Sequence, residues 1–282
     1  MNIKTPVRLA TRKSPLAICQ SEIVANLIRS KMGLEVELLL MSTTGDQRLE
    51  WSLQKKGGKG LFTKELEQAL LDGRADLAVH SAKDMPTENP DGLVLSAFLK
   101  REDPRDVLVI RSGLCTIEKI ASGSPRRTSQ LKARFPSAQW MELRGNVESR
   151  LRKIAENHEA DGTILAAAGL NRLQIKEFEG VDFEVLPVDQ MVPAPGQGAI
   201  AIQTRLVDRE KFSVLGDPPT EAAVGLERKI LEGLGGGCQV AIGAHVQEGM
   251  VYFYHQATGI IKIEMNGKTD EELVRDLVER TK

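Results

Sequence analysis

The strongest constraint on this chain is the alternation in its first hundred residues, where short apolar runs at 7–10, 35–41 and 77–80 take turns with two stretches of helical periodicity. The first helix opens at Ser14-Pro15, a cap followed by proline in the first helical position, and carries Leu16, Ile23, Val24, Leu27 and Ile28 on one stripe. Val36 to Met41 is nearly all apolar, as in a strand covered on both faces. The second helix carries Phe62, Leu66, Ala69 and Leu70 and stops at Gly73. This βαβαβ order implies a parallel sheet with helices on its faces, because parallel neighbours need crossover connections.

The pattern pauses in the charged segment 101–105 and then starts again. Strands are expected at 107–110, 139–143 and 163–165, with helices from Ser124-Pro125 to about Phe135 and from about Asn146 to Glu156. Val192 to Gly198 is too rich in Pro and Gly for a regular element, 199–203 reads as one more strand, and Asp217-Pro218-Pro219 marks a boundary. Beyond it a helix over 221–234 ends in Gly235-Gly236-Gly237, strands at 240–247 and 250–257 flank the hairpin signal Glu248-Gly249, and an amphipathic helix over 270–279 closes the chain. The expected class is therefore α/β, two doubly wound units followed by a small C-terminal α+β unit.

Charge and cysteine content narrow the function. A net charge of −1 with 4% aromatic residues argues against a nucleic-acid partner, which needs a basic field and often stacking rings. No run approaches the ~20 apolar residues that span a bilayer, and the N-terminal segment has no apolar signal core, so a cytoplasmic location without membrane contact is expected. Cys19, Cys115 and Cys238 are odd in number and share no CxxC spacing, and the four histidines (His80, His158, His245 and His255) have no ligand spacing. No metal site is expected, and the histidines read as structural. Cys19 and Cys115 read as small buried hydrophobes. Cys238 differs, because the three glycines before it remove side-chain bulk, as suits a thiol on a loop that something large must approach. A reactive thiolate is the second reading. Gly57-Gly58-Lys59-Gly60 lacks phosphate-loop spacing and reads as a mobile loop over a cleft or a surface turn.

Open α/β sheets bind ligands beyond the carboxyl ends of their strands. The residues that follow the expected strands are Arg12; Ser81, Lys83 and Asp84; Arg126 and Arg127 at the Ser124-Pro125 helix start; Arg144; Arg150 one turn into the next helix; and Arg172. Singly, each arginine is most simply a solvated cation worth ~0–1 kcal/mol. The pair Arg126-Arg127 stands apart, since cations in a helix's first turn oppose its dipole at ~0.3–1 kcal/mol each, and an anion held there reverses the sign. A near-neutral chain with arginines gathered at sheet ends points to a small polyanion. Asp84 among these cations reads as a loop cap or ion pair, or as a carboxylate that stabilises a cationic intermediate and relays protons.

Seven segments, taken together and in order, resemble the hydroxymethylbilane synthase (porphobilinogen deaminase) family. They are Arg8-Leu9-Ala10-Thr11-Arg12-Lys13-Ser14-Pro15-Leu16-Ala17, Gly57-Gly58-Lys59-Gly60-Leu61-Phe62, Val79-His80-Ser81-Ala82-Lys83-Asp84, Arg101-Glu102-Asp103-Pro104-Arg105-Asp106, Leu143-Arg144-Gly145-Asn146-Val147, Pro195-Gly196-Gln197-Gly198-Ala199 and Gly236-Gly237-Cys238-Gln239. Two departures are visible. The family usually reads GTSSxRR where this chain has Ala121-Ser122-Gly123-Ser124-Pro125-Arg126-Arg127, and often has proline at Ala241.

The resemblance implies an enzyme that joins four porphobilinogen molecules head to tail, releases ammonia at each step, and frees the linear tetrapyrrole by hydrolysis. It implies a dipyrromethane cofactor held by a thioether to Cys238 and a catalytic Asp84. It further implies cofactor contacts from Ser81, Lys83, Ser124, Arg126 and Arg127, and substrate contacts from Arg12, Arg144, Arg150 and Arg172. Two periplasmic-binding-protein-like domains are implied, 1–99 with 196–214 and 100–195, the chain crossing between them twice, and then a third domain over 215–282. A monomer acting on a small-molecule substrate is expected. The competing readings are a non-enzymatic two-domain binding protein for a small polycarboxylate or other anion, which leaves the triglycine cysteine idle, and a ligand-sensing regulator, for which no helix-turn-helix segment is present.

Overall fold

The computed structural model describes residues 5–47, 61–236 and 241–282; the glycine-rich loop at 57–60 and Cys238 with Gly237 and Gln239 lie outside them. The strands are β1 (Val7–Arg12), β2 (Val36–Met41), β3 (Leu77–Ser81), β4 (Leu93–Phe98), β5 (Asp106–Arg111), β6 (Lys119–Ala121), β7 (Gln139–Met141), β8 (Gly162–Ala166), β9 (Val181–Leu186), β10 (Ile200–Arg205), β11 (Gly243–Gln247), β12 (Met250–His255) and β13 (Gly259–Glu264). The helices are α1 (Pro15–Met32), α2 (Thr44–Gln47), α3 (Lys64–Leu71), α4 (Pro125–Leu131), α5 (Val147–Ala155), α6 (Ala167–Arg172), α7 (Arg209–Ser213), α8 (Pro218–Gly233) and α9 (Asp270–Arg280).

Two five-stranded sheets share one plan, with orders β2-β1-β3-β10-β4 and β7-β6-β8-β5-β9. In each, the first three strands are parallel, joined through helices, and the fourth runs antiparallel to both neighbours. The all-parallel expectation is thus corrected to mixed sheets. The reason is where the fourth strands come from: β5 arrives from the first sheet through residues 99–105, and β10 returns from the second through 187–199. A strand that enters from another sheet has no crossover helix to force it parallel.

Both sheets are covered on two faces. In the first, Val24, Ala25 and Ile28 of α1 pack on Leu9, Leu77, Val79 and Ile200, while Leu66, Ala69 and Leu70 of α3 pack on the alternate residues Ala10 and Ala78. In the second, Leu151 and Ile154 of α5 and Leu170 of α6 cover Val107, Val109 and Leu165, and Leu131 of α4 covers Leu108, Ile120 and Ile164. Helix starts follow the sequence: Ser14 caps α1, Ser124 caps α4, Asp217 caps α8, and Thr269 with Glu272 forms a capping box on α9. The third unit is an antiparallel sheet, β11-β12-β13, covered by α8 and α9 through Leu226, Ile230, Leu273 and Leu277.

One buried carboxylate ties the three sheets together. Glu227 of α8 takes Arg101 of the first crossing at 2.6 and 3.0 Å, the Gly196 N–H of the second crossing at 2.7 Å and the Val246 N–H of β11 at 2.8 Å. His245 Nδ1 lies 3.3 Å away. Burial works to raise the carboxyl's pKa, but Arg101 first and His245 next hold it below the usual range. Breaking a buried pair leaves an uncompensated charge, so Glu227→Gln is expected to cost about 3 kcal/mol. Urea unfolding measures this, and a loss under 1 kcal/mol would remove Glu227 as the tie.

Candidate functional site

At the carboxyl end of β3 the chain enters a single 3-10 turn, Ala82–Asp84, which presents Lys83 and Asp84. The second crossing is pressed onto this turn. Ala82 N–H donates to the Ala199 carbonyl at 3.0 Å, and Gly196 has φ +73° in the left-handed region. A Cβ on Gly196 would stand 3.1 Å from Ala82 Cβ and 3.3 Å from the Lys83 nitrogen, so glycine is required there.

The second sheet meets the turn with its own strand ends. Residue 106 opens the antiparallel β5 opposite Ala166, the last residue of β8, so both lie on the edge from which α4 starts. Asp106 is completely buried, and both α4 arginines turn onto it. Arg126 Nη2 lies 2.8 Å from Oδ2, and Arg127 donates to Oδ1 from Nε at 3.1 Å and from Nη2 at 2.8 Å. The two Nη1 groups reach backbone: Arg126 Nη1 to the Val192 carbonyl at 2.6 Å, and Arg127 Nη1 to that of Ile164 at 2.8 Å. Part of the anion that first-turn arginines demand is therefore supplied by the chain itself. Burial works to raise the Asp106 pKa, and the charges of Arg126, Arg127 and Lys83 overcome it, bringing it down to about 2. Burial lowers that of Arg126, partly offset by Asp106.

Positive charge is still in excess. Lys83 is half-buried and donates to Gln197 Oε1 at 3.4 Å; burial and the Arg127 charge push its pKa down to about 8 against the pull of Asp84 and Asp106. Arg150, one turn into α5, donates from Nε to the Gly145 carbonyl at 2.9 Å. Burial, then Arg127 and Arg144, push its pKa down to about 10, opposed by Asp84. Lys83, Arg126, Arg127 and Arg150 thus converge on two carboxylates, of which only Asp84 is exposed. Arg126 Nε, also buried, finds no acceptor among the described residues. This donor set fits a polycarboxylate such as a dipyrromethane, each of whose rings carries an acetate and a propionate.

The other expected site residues lie around this centre. The Arg12 guanidinium is bidentate on Asp46 and sits 4.3 Å over the Phe62 ring, which precedes α3 rather than lying within it. Arg172 closes α6 and donates to the Gly198 carbonyl at 2.6 Å; burial lowers its pKa, opposed by Glu102. Ser81 exchanges hydrogen bonds with the Gln20 amide at 2.9 and 3.2 Å, and Ser124 Oγ accepts from Arg127 N–H at 3.4 Å as the α4 cap. Arg144 lies within electrostatic reach of Arg150. Cys115 is exposed and Cys19 half-buried with its thiol on the Arg172 carbonyl at 3.1 Å, which corrects their reading as buried hydrophobes. The sequence reading passed over Asp106, Gln197 and Asp46. A lone carboxylate heading the apolar run Val107 to Ile110 was the available signal, since a charge at the mouth of a buried strand must be paired.

Two mixed α/β sheets bring buried and half-buried cations together on two carboxylates, one of them exposed, a donor set of the kind that suits a small polyanion. The family model described as "Porphobilinogen deaminase, dipyromethane cofactor binding domain" matches residues 7–213. The porphobilinogen deaminase of Brevibacillus brevis is 46% identical over 252 residues, 86% of this chain and 80% of that protein. That of Chloroherpeton thalassium is 39% identical over 288 aligned positions, 98% of this chain and 89% of that protein. The chain belongs to the porphobilinogen deaminase family, an enzyme family whose matched domain binds the dipyrromethane cofactor. Among solved structures, the periplasmic aliphatic sulphonate binding protein SsuA from Escherichia coli aligns loosely, at 14% identity and a TM-score of 0.44 over 81% of this chain and 70% of that one. No helix among the described residues is long and apolar enough to cross a membrane.

Proposed function

We propose that this chain is itself an active porphobilinogen deaminase, a transferase that condenses four porphobilinogen molecules head to tail with release of ammonia and frees the linear tetrapyrrole by hydrolysis. The observation that carries the reading is the excess of positive charge where Lys83, Arg126, Arg127 and Arg150 gather on two carboxylates, Asp106 buried under the two α4 arginines and Asp84 exposed beside Lys83 and Arg150. Lys83, Arg126, Arg127, Ser124 and Ser81 would hold the carboxylates of the dipyrromethane, tethered by a thioether at Cys238. When bound, that group supplies the ring carbon to which the first substrate ring is joined.

The protein's own groups do the rest. Arg12, Arg144, Arg150 and Arg172 orient the acid side arms of the incoming pyrrole, each a match for a bidentate carboxylate. Loss of ammonia leaves an electron-poor ring, and in this proposal the exposed Asp84 carboxylate stabilises that positive charge and takes or returns a proton. Lys83 and Arg150 leave its carboxylate uncovered, because they donate to Gln197 and to the Gly145 carbonyl. We extend the proposal to a monomer, since one chain supplies every group named here, and to the cytoplasmic location expected from an N-terminal segment with no apolar signal core. Membership of a deaminase family weighs against the non-enzymatic binding reading.

Intact-mass measurement on the holoprotein tests the proposal. A covalent excess of two pyrrole units is expected, absent from Cys238→Ala. A mass equal to the bare chain from cells that make porphobilinogen would defeat the cofactor assignment and, with it, this mechanism.

A further inference from the structure

Gln197 lies in the second crossing, 1% exposed, and its side chain has partners in three separate parts of the molecule. Nε2 donates to the Pro104 carbonyl of the first crossing at 2.7 Å and to Asp106 Oδ1, at the head of β5, at 3.0 Å. Oε1 accepts from Lys83 Nζ, on the turn after β3, at 3.4 Å. Its backbone carbonyl accepts from Arg101 Nε at 2.8 Å. The amide is a dipole laid between a carboxylate and an ammonium, and only one orientation satisfies both. Reversed, it would set NH2 against Lys83 and oxygen against Asp106.

We propose that Gln197 is a positioning residue for the cation cluster, fixing Lys83 of the first sheet at a set distance from the Asp106–Arg126–Arg127 group of the second. The inference rests on the reading of that cluster as the anchor for pyrrole carboxylates. Among the described residues the two crossings are the chain connections between these sheets, and Gln197 sits on one while bonding the other, so its amide spans the junction about which they would move. The charged groups facing Lys83 are Arg126 and Arg127 from α4, Asp106 from β5 and Asp84 from its own turn. Without the amide oxygen, the ammonium meets two guanidinium groups with one acceptor fewer. It is then driven towards Asp84, which spoils both the anchor and the exposed carboxylate.

The test compares the wild-type holoenzyme with Gln197→Leu and Gln197→Glu. The wild type comes first: if it carries no two-pyrrole mass and releases no ammonia from porphobilinogen, the functional reading fails, whatever Gln197 does. With an active wild type, Gln197→Leu is expected to lower kcat/KM at least ~10-fold. It should also move the alkaline limb of the kcat/KM profile to lower pH, because an acceptor that favoured the charged lysine is gone. Gln197→Glu keeps an acceptor and adds negative charge, so its limb should move to higher pH. A merely structural role would scale the profile without moving its limb. An unmoved limb in Gln197→Leu overturns the proposal even if Gln197→Glu fails to fold.

Discussion

Asp84→Asn is expected to leave the protein folded and its covalent pyrrole mass in place while turnover falls by ~10²–10⁴-fold, the range for removal of a positioned acid–base group. The side chain is exposed and its amide isostere fits the same space, so stability should change within about ±0.5 kcal/mol, as for other surface substitutions. What changes is charge. Asp84 acts on both Lys83 and Arg150, and no other carboxylate of the cluster is open to a substrate, since Asp106 is buried under two guanidinium groups. Positive charge developing on a pyrrole ring would then face cations alone. Ammonia release in a single turnover measures the chemical step directly, and Asp84→Glu should retain part of it because the charge survives. A rate within threefold of wild type for Asp84→Asn would take this residue out of the mechanism.

The sequence disclosed the parts of this architecture that obey a period, and concealed those set by long-range pairing. α1 was legible at its start because Ser14-Pro15 is a local signal; Gly33, which closes it in a left-handed conformation, is a local signal too, but it was not read as the stop of this helix. β4, β6, β9 and β13 were passed over. β9 interleaves exposed Asp182 and Glu184 with buried Val181 and half-buried Phe183, and Val185 is exposed as well, as befits the edge strand it is, whereas parallel strands buried on both faces read as unbroken apolar runs. The antiparallel β5 and β10 have the apolar composition of parallel strands, and their direction depends on which sheet the chain has just left. The same division holds at the site. Arg126 and Arg127 stood out because they violate the preference of a helix start. Their partner Asp106 precedes them by some twenty residues, and Gln197 follows by about seventy; no local rule links such distances.

Asp106→Ala is expected to give the largest loss of stability of any single substitution in the second sheet. It strands two guanidinium groups that are 4% and 7% exposed, and removes an acceptor from Gln197. Breaking a buried ion pair costs about 3–5 kcal/mol, and here two pairs share one anion. Against a total of roughly 5–15 kcal/mol this is enough to unfold part of the population at ordinary temperature. Asp106→Asn, which keeps the shape and one acceptor, separates the charge from the packing. The wild-type carboxyl titrates at about 2 in the fold against an ordinary value of 3.8. A depressed carboxylate stabilises the fold above its unfolded pKa, and the gain is lost as pH falls from about 4 towards 2, an amount on the order of 2 kcal/mol. Asp106→Asn has no such group. Its deficit relative to wild type should therefore be constant from pH 7 to about 5 and shrink as pH falls from about 4 towards 2. Urea unfolding of both proteins at pH 7 and pH 3 tests this. A deficit that stays the same at the two pH values would mean that Asp106 matters by its shape, and that the arginine pair does not depend on its charge.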